Sequence, residues 1–248
     1  MAELPARSSC AGFHSTLGSG RMMMSTIKAV IFDLDGTLID SESNYLEAER
    51  RLFADYGFTN YNMEIHSQYI GFGSKEMMED MKKKYHIHES IENLLAGKNR
   101  YYSEIARKNT VVFPEMQKFL ELLHVHDYPL ALASGSSPAV IDEILEITQL
   151  RKYFQVVLSA EDVKQGKPEP DIFLEAAEQL QKDPEHCLVV EDSHFGVEAA
   201  KRASMYCIAL PSPEMAIGED FMQADLLLRQ GVKEFLAEKA FAWLKERK

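Results

Sequence analysis

Cysteine is scarce in this chain and tryptophan nearly absent, with three of the first and one of the second. Cys10, Cys187 and Cys207 share no CxxC spacing, so they suggest neither a disulfide framework nor a thiolate metal site. Cys187 and Cys207 fall in apolar runs that read as buried strands, where a thiol packs as a small hydrophobe. That usage suits a reducing compartment, and a cytoplasmic location is expected. Positive charge is also short. Lys and Arg number 27 against 39 Asp and Glu, a net charge of −12. No nucleic acid and no membrane surface is therefore expected as a partner. The same acidity repels an anionic substrate at long range, so such a substrate would need a local cluster of cations. Long hydrophobic runs are missing too, and none approaches a membrane span.

What is present is the composition of a globular protein, 46% hydrophobic and 27% charged over 248 residues. That length suits one large domain or a domain carrying an insertion. A monomer is expected. Residues 1–24 differ from the rest: they are rich in Ser, Gly and Ala, with Arg7 and Arg21 against Glu3, and end in Met22, Met23 and Met24. They read as a disordered extension. Without a continuous apolar core they do not read as a secretory signal; a transit peptide, an upstream start and an added tail stay open. Gly18–Gly20 follows no strand and is not read as a nucleotide loop.

The richest stretch is IFDLDGTL at Ile31–Leu38. An apolar strand ending on Asp33 and Asp35 puts both carboxylates on one side of the chain, because strand side chains alternate. Held that close, they repel unless a cation lies between them. Magnesium, a hard ion that prefers oxygen, is the natural partner, leaving an aspartate able to attack. Three further strand ends carry polar groups. Ser134, Gly135, Ser136 and Ser137 follow an apolar run and precede Pro138; they suit a phosphate cradle or a helix cap. Lys167 sits in GKPEPDIF, its backbone restricted by Pro168 and Pro170, and a fixed ammonium there could neutralise a phosphate. Glu191 and Asp192 end the run CLVVED and offer more oxygen ligands.

Strand–helix alternation from Ile27 onward predicts an α/β fold, a Rossmann-like parallel sheet with helices on both faces. Strands are expected at Ala29–Phe32, Tyr128–Ala133, Val156–Ser159, Cys187–Val190, Cys207–Leu210 and Leu226–Leu228. An amphipathic helix, Val232–Glu246, is expected to close the chain. Between Glu42 and Thr110 the periodicity is helical, with breaks expected at Gly57, Gly71–Gly73 and Gly97. An insertion of that length exceeds an ordinary connection. It predicts a helical cap over 41–110 above the Asp33–Asp35 strand end, with the α/β core formed by 25–40 and 111–248. Met77, Met78 and Met81 read as cap core. Gly71, Gly73 and Lys75 suit either a substrate-facing cap loop or a plain turn before a helix starting at Ser74. The pairs His86/His88 and His124/His126 are expected in helical segments, where i and i+2 do not face together, so zinc is not expected.

Together, the DxD strand, the serine strand, the lysine loop and the acidic strand resemble, in order, the four motifs of the haloacid dehalogenase superfamily, despite its name mostly phosphatases. LDGTLIDSE, LASGSS, GKPEPDIF and EDSHFGVEAA are most similar to β-phosphoglucomutase-like phosphatases with an α-helical cap. The resemblance implies Asp33 as nucleophile, forming an aspartyl-phosphate, and Asp35 as general acid and base. It implies Mg2+ held by Asp33, the main-chain carbonyl of Asp35, and Asp192, with Glu191 supporting the water shell. Ser134, the Gly135 amide and Lys167 would grip the phosphoryl group. Tyr45, Lys75 and Ser137 stand where the mutases of this group carry histidine, arginine and lysine, which favours hydrolysis over return of the phosphoryl group to a sugar. Ser204 stands where glycine is common and reads as a local packing change. A magnesium-dependent phosphatase of a small phosphorylated metabolite, a sugar or polyol phosphate, is expected. The alternatives are the mutase, a dehalogenase, which Asp35 disfavours, and a non-catalytic binding protein.

Overall fold

The strand Ala29–Phe32 (β1) is apolar throughout because both of its faces are covered. Val30 and Phe32 point into one core cluster with Phe119, Leu120, Ile141 and Phe235. Ala29 and Ile31 point into a second, with Phe173, Ala176, Val197 and Ala200. The computed structural model describes residues 27–70, 73–212 and 217–247; the expected extension 1–24, Cys10 and Gly71 lie outside the described residues. Six parallel strands form the main sheet: β1, then β4 (Leu130–Ser134), β5 (Val156–Ser159), β6 (Cys187–Glu191), β7 (Tyr206–Ala209) and β8 (Leu226–Leu227). A short antiparallel pair is formed by β2 (Ile39–Asp40) and β3 (Val111–Val112). The helices are α1 (Glu42–Asp55), α2 (Met63–His66), α3 (Ser74–Lys84), α4 (Ile91–Asn109), α5 (Pro114–Val125), α6 (Pro138–Ile147), α7 (Asp171–Gln179), α8 (His194–Arg202) and α9 (Ala237–Glu246).

The sheet order is β5-β4-β1-β6-β7-β8. Chain order reverses around β1, so the loops after β1, β4 and β6 leave a crevice at their carboxyl ends. Ligands of open α/β sheets bind at such a switch point. The expected α/β class, with a parallel sheet and helices on both faces, is what the chain adopts. Cys187 and Cys207 are free and fully buried in β6 and β7.

Helices α1 to α4 rise from the β2–β3 pair and surround their own apolar cluster of Leu52, Phe53, Tyr61, Met77, Met78, Met81 and Leu94. Met77, Met78 and Met81 are core, as expected. Tyr102, Ile105 and Ala106 of α4 join the main core instead and anchor the insert. The exposed Arg107–Glu143 ion pair also spans this junction. Such a pair contributes below about 1 kcal/mol, whereas burying one large side chain contributes roughly 1.5–3 kcal/mol, so apolar packing holds the insert down.

Four sequence expectations need correction. Gly97 does not break a helix: α4 runs through it. A Cβ there would come within 2.6 Å of Leu52 Cδ1, so the glycine permits close approach of α1 and α4. His86 and His88 are not helical; α3 ends at Lys84, and His86 has φ 54°. The closing helix begins at Ala237, with a 3-10 turn at Gly231–Lys233 before it. Ser204 matters through its backbone, not its packing: its φ of 61° lies in the left-handed region that favours glycine after a helix.

Candidate active site

The turn after β1 fixes the first two carboxylates. Leu38 and Ile39 amides both donate to the Leu34 carbonyl, folding the chain back immediately beyond Asp35. Gly36 sits in that turn at φ 74°. A Cβ on it would fall 2.2 Å from Asp192 Oδ2, so only glycine lets the β1 and β6 ends approach this closely.

Lys167 lies between two carboxylates. Its Nζ donates to Asp33 Oδ1 and to Glu191 Oε1, each at 2.6 Å, and to the Ala133 carbonyl at 3.2 Å. Thus one ammonium ties together the ends of β1, β4 and β6. Glu191 is further held by the Ser193 amide at 2.7 Å and hydroxyl at 3.0 Å. Asp192 accepts from the Thr37 hydroxyl at 3.4 Å. Asp35 turns away from this group. Its Oδ2 accepts from Ser136 Oγ at 2.7 Å and Tyr45 at 3.4 Å, and its Oδ1 from Tyr102 at 3.4 Å. The Tyr45 and Tyr102 rings stack at 4.1 Å.

The charges do not balance. Among the described residues, Asp33, Glu191 and Asp192 share one cation, Lys167. Burial pushes Asp33 up to about 8, Lys167 opposes the shift, and Glu191 and Asp35 add to it. Desolvation, then Glu191 and Asp33, likewise hold Asp192 well above the usual carboxylate range. Burial disfavours the charged Lys167, but Asp33 and Glu191 outweigh it and keep the ammonium charged. A divalent cation would restore balance, and the residues fit one. Among the described residues no three His, Cys, Asp or Glu side chains form a ready-made cage. Two carboxylates, a main-chain oxygen and water suit magnesium, which keeps several waters.

Asp33, Asp35, Gly135, Lys167, Glu191 and Asp192 line one cavity of about 150 Å³. Ser134 is fully buried beside it, accepting from the Ser136 amide at 3.0 Å. Its hydroxyl proton stays free to donate. Lys75 is exposed in the first turn of α3 and outside the cavity lining. The cap cation that does line it is Lys98 of α4, 4% exposed, bonded to Ser74 Oγ and 4.8 Å from the Tyr45 ring centroid. Sequence reading missed Lys98, and also Glu42, Glu49 and His66 in the same lining, whereas Ser136 belongs to the serine stretch it singled out. For α1 a signal existed: Glu42, Tyr45 and Glu49 recur at helical spacing on one face.

Comparison with known proteins agrees with this geometry. Residues 30–210 match the model of the haloacid dehalogenase-like hydrolase family. The chain is 37% identical over 183 residues to the phosphorylated carbohydrates phosphatase of Thermotoga maritima, covering 72% of this chain and 82% of that one. It is 34% identical over 194 residues to a Drosophila melanogaster protein described as "Probable pseudouridine-5'-phosphatase", covering 75% and 82%. Its fold matches that of CbbY from Rhodobacter sphaeroides in complex with phosphate at a TM-score of 0.74 and 25% identity, over 84% of this chain and 95% of the other. With the strand-end cluster in place and the family model spanning it from end to end, the chain belongs to the haloacid dehalogenase-like hydrolases and is a phosphoric monoester hydrolase.

Proposed function

We propose that the protein is a magnesium-dependent phosphatase that hydrolyses a small sugar or polyol phosphate through an aspartyl-phosphate on Asp33. The observation that carries this reading is Lys167, 2.6 Å from both Asp33 and Glu191 where three strands end in one cavity. Asp33 attacks phosphorus with its carboxylate while Asp35 gives a proton to the leaving oxygen. Asp35 then takes a proton from the water that attacks the same phosphorus, freeing phosphate and restoring Asp33. Its three hydroxyl partners keep its carboxyl oriented through both steps. Lys167, the Gly135 amide and the Ser134 hydroxyl grip the phosphoryl group, since positioning and charge neutralisation dominate this chemistry.

Asp33, the main-chain carbonyl of Asp35, and Asp192 would hold Mg2+, with Glu191 behind them, braced by Lys167 and Ser193. When bound, the ion supplies the positive charge that a phosphate dianion needs beside these carboxylates. Water is the proposed acceptor because Tyr45 and Ser137 replace the basic residues of the mutases. The setting proposed is a monomer in the cytoplasm, where the two buried thiols stay reduced. Among the described residues no helix is long and apolar enough to cross a membrane. Phosphate release from a panel of phosphorylated metabolites, measured with EDTA and then with added magnesium, tests the proposal. EDTA is expected to abolish turnover and magnesium to restore it. Full turnover in metal-free buffer contradicts the metal site.

A further inference from the structure

The two aspartates that follow β1 are held by opposite kinds of partner. Asp33 is held by an ammonium, Lys167 Nζ at 2.6 Å. Among the described residues, the side-chain partners of Asp35 are three hydroxyls. Ser136 at 2.7 Å and Tyr45 at 3.4 Å donate to Oδ2, and Tyr102 at 3.4 Å donates to Oδ1. Ser136 has one proton and gives it to Asp35, so in its 2.6 Å contact with Tyr45 the phenol is the donor. Tyr45 therefore acts on Asp35 chiefly through Ser136, whereas Tyr102 acts directly. Both tyrosines come from the insert, Tyr45 from α1 and Tyr102 from α4. Their rings stack at 4.1 Å with 23° between the planes, and Tyr102 is fully buried in the main core. Lys98, the insert cation in the cavity wall, lies over the Tyr45 ring and donates to Ser74 Oγ.

The difference in partners suits two different tasks. A nucleophile has to stay anionic, and a cation at hydrogen-bond distance favours that form alone. A group that gives a proton and later takes one back passes through both forms. A hydroxyl serves both, donating to a carboxylate and, after rotation about its C–O bond, accepting from a carboxylic acid. A lysine in the same place would hold the anion and oppose protonation. Burial first, and then the Asp35 charge, push the Tyr45 and Tyr102 phenols well above their ordinary range. Neither phenol gives up its proton, so the pair holds Asp35 without competing for the proton that Asp35 moves.

We propose that Tyr45 and Tyr102 are positioning residues for Asp35, so that the helical insert supplies part of the acid–base apparatus even for a substrate too small to touch it. The proposal rests on the phosphatase reading above and concerns the departure of the ester oxygen. In that step the bond from phosphorus to the ester oxygen breaks as an Asp33 oxygen bonds to phosphorus. The proton passes from the Asp35 carboxyl to the departing oxygen, leaving Asp35 as a carboxylate.

The test is a leaving-group comparison on the full chain with magnesium, using 4-nitrophenyl phosphate and phenyl phosphate. The two esters are close in shape, but departing phenolate needs a proton far more than 4-nitrophenolate does. Their kcat/KM values report transfer to Asp33, whereas kcat also includes the later attack of water. Asp35→Asn, which cannot supply the proton, sets the full size of the effect. It is expected to raise the ratio of kcat/KM for the 4-nitrophenyl ester to that for the phenyl ester by about 100-fold. The double variant Tyr45→Phe/Tyr102→Phe keeps both rings, and a thermal melt should find it folded. It is expected to raise the same ratio by about tenfold, and Tyr102→Phe alone by less. A purely structural role would lower both esters together. An unchanged ratio in the double variant therefore overturns the positioning role while leaving a phosphatase. An unchanged ratio in Asp35→Asn removes Asp35 as the acid, and the positioning role with it. No phosphate release from either ester by the unaltered protein contradicts the phosphatase reading itself, and the proposal falls with that reading.

Discussion

At the scale of single residues, the site is a contest between burial and charge. Asp33 would be a poor nucleophile if burial alone decided its state, and Lys167 at 2.6 Å only partly offsets that burial. Lys167 was legible in the sequence because Pro168 and Pro170 flank it in a recognisable motif. His66 was not: nothing local marks it, and its partners Glu42 and Glu49 lie 24 and 17 positions earlier. Its environment gives a direct check. A histidine whose folded pKa is raised stabilises the fold fully below about 6.5 and loses that contribution as pH rises through about 9. A proton NMR titration should place the His66 imidazole midpoint near 9, and unfolding measurements should show stability falling over pH 6.5 to 9 relative to His66→Gln. A midpoint near 6.5 would mean that Glu42 and Glu49 do not engage the ring.

At the scale of elements, strand ends were easier to read than helix faces. Strands β1, β4 and β6 are short apolar runs that stop on polar residues, so Asp33, Ser134 and Glu191 mark where each of these strands ends. The insert is different. Its cavity wall takes Glu42, Tyr45 and Glu49 from α1, His66 from α2, Ser74 and Met77 from α3, and Lys98 from α4. Sequence alone does not give the relative rotation of four helices, which is why Lys75 was chosen and Lys98 missed. Gly97 shows the same limit, since a glycine used for close helix approach looks like a breaker until its neighbour Leu52 is seen. The turn after β1 makes the strongest local demand. Gly36→Ala would force a Cβ into Asp192 at a left-handed backbone position. Turnover should fall about 100-fold, as expected when catalytic groups are misplaced by about 1 Å. Melting should show the sheet core still folded, and near-normal turnover would mean that Asp192 need not lie against this turn.

At the scale of the whole molecule, a parallel sheet supplies fixed charge at the carboxyl ends of its central strands, and helices inserted after β1 complete the cavity wall. The α/β architecture was legible because each strand–helix alternation carried its own apolar pattern. That a long helical insert follows β1 was legible because so long a connection exceeds an ordinary loop. Its anchoring through Tyr102, Ile105 and Ala106 of α4 was not, since the sequence does not show which helical face meets the main core. The proposed mechanism makes one event central: covalent transfer of the phosphoryl group to Asp33. Acid quenching during turnover with magnesium and a polyhydroxy phosphate, followed by peptide mass spectrometry, observes that event directly. A phosphoryl adduct is expected on the peptide at Asp33, absent from Asp33→Asn, whose turnover falls by several orders of magnitude. An adduct on another residue, or near-normal turnover by Asp33→Asn without one, would contradict the assignment.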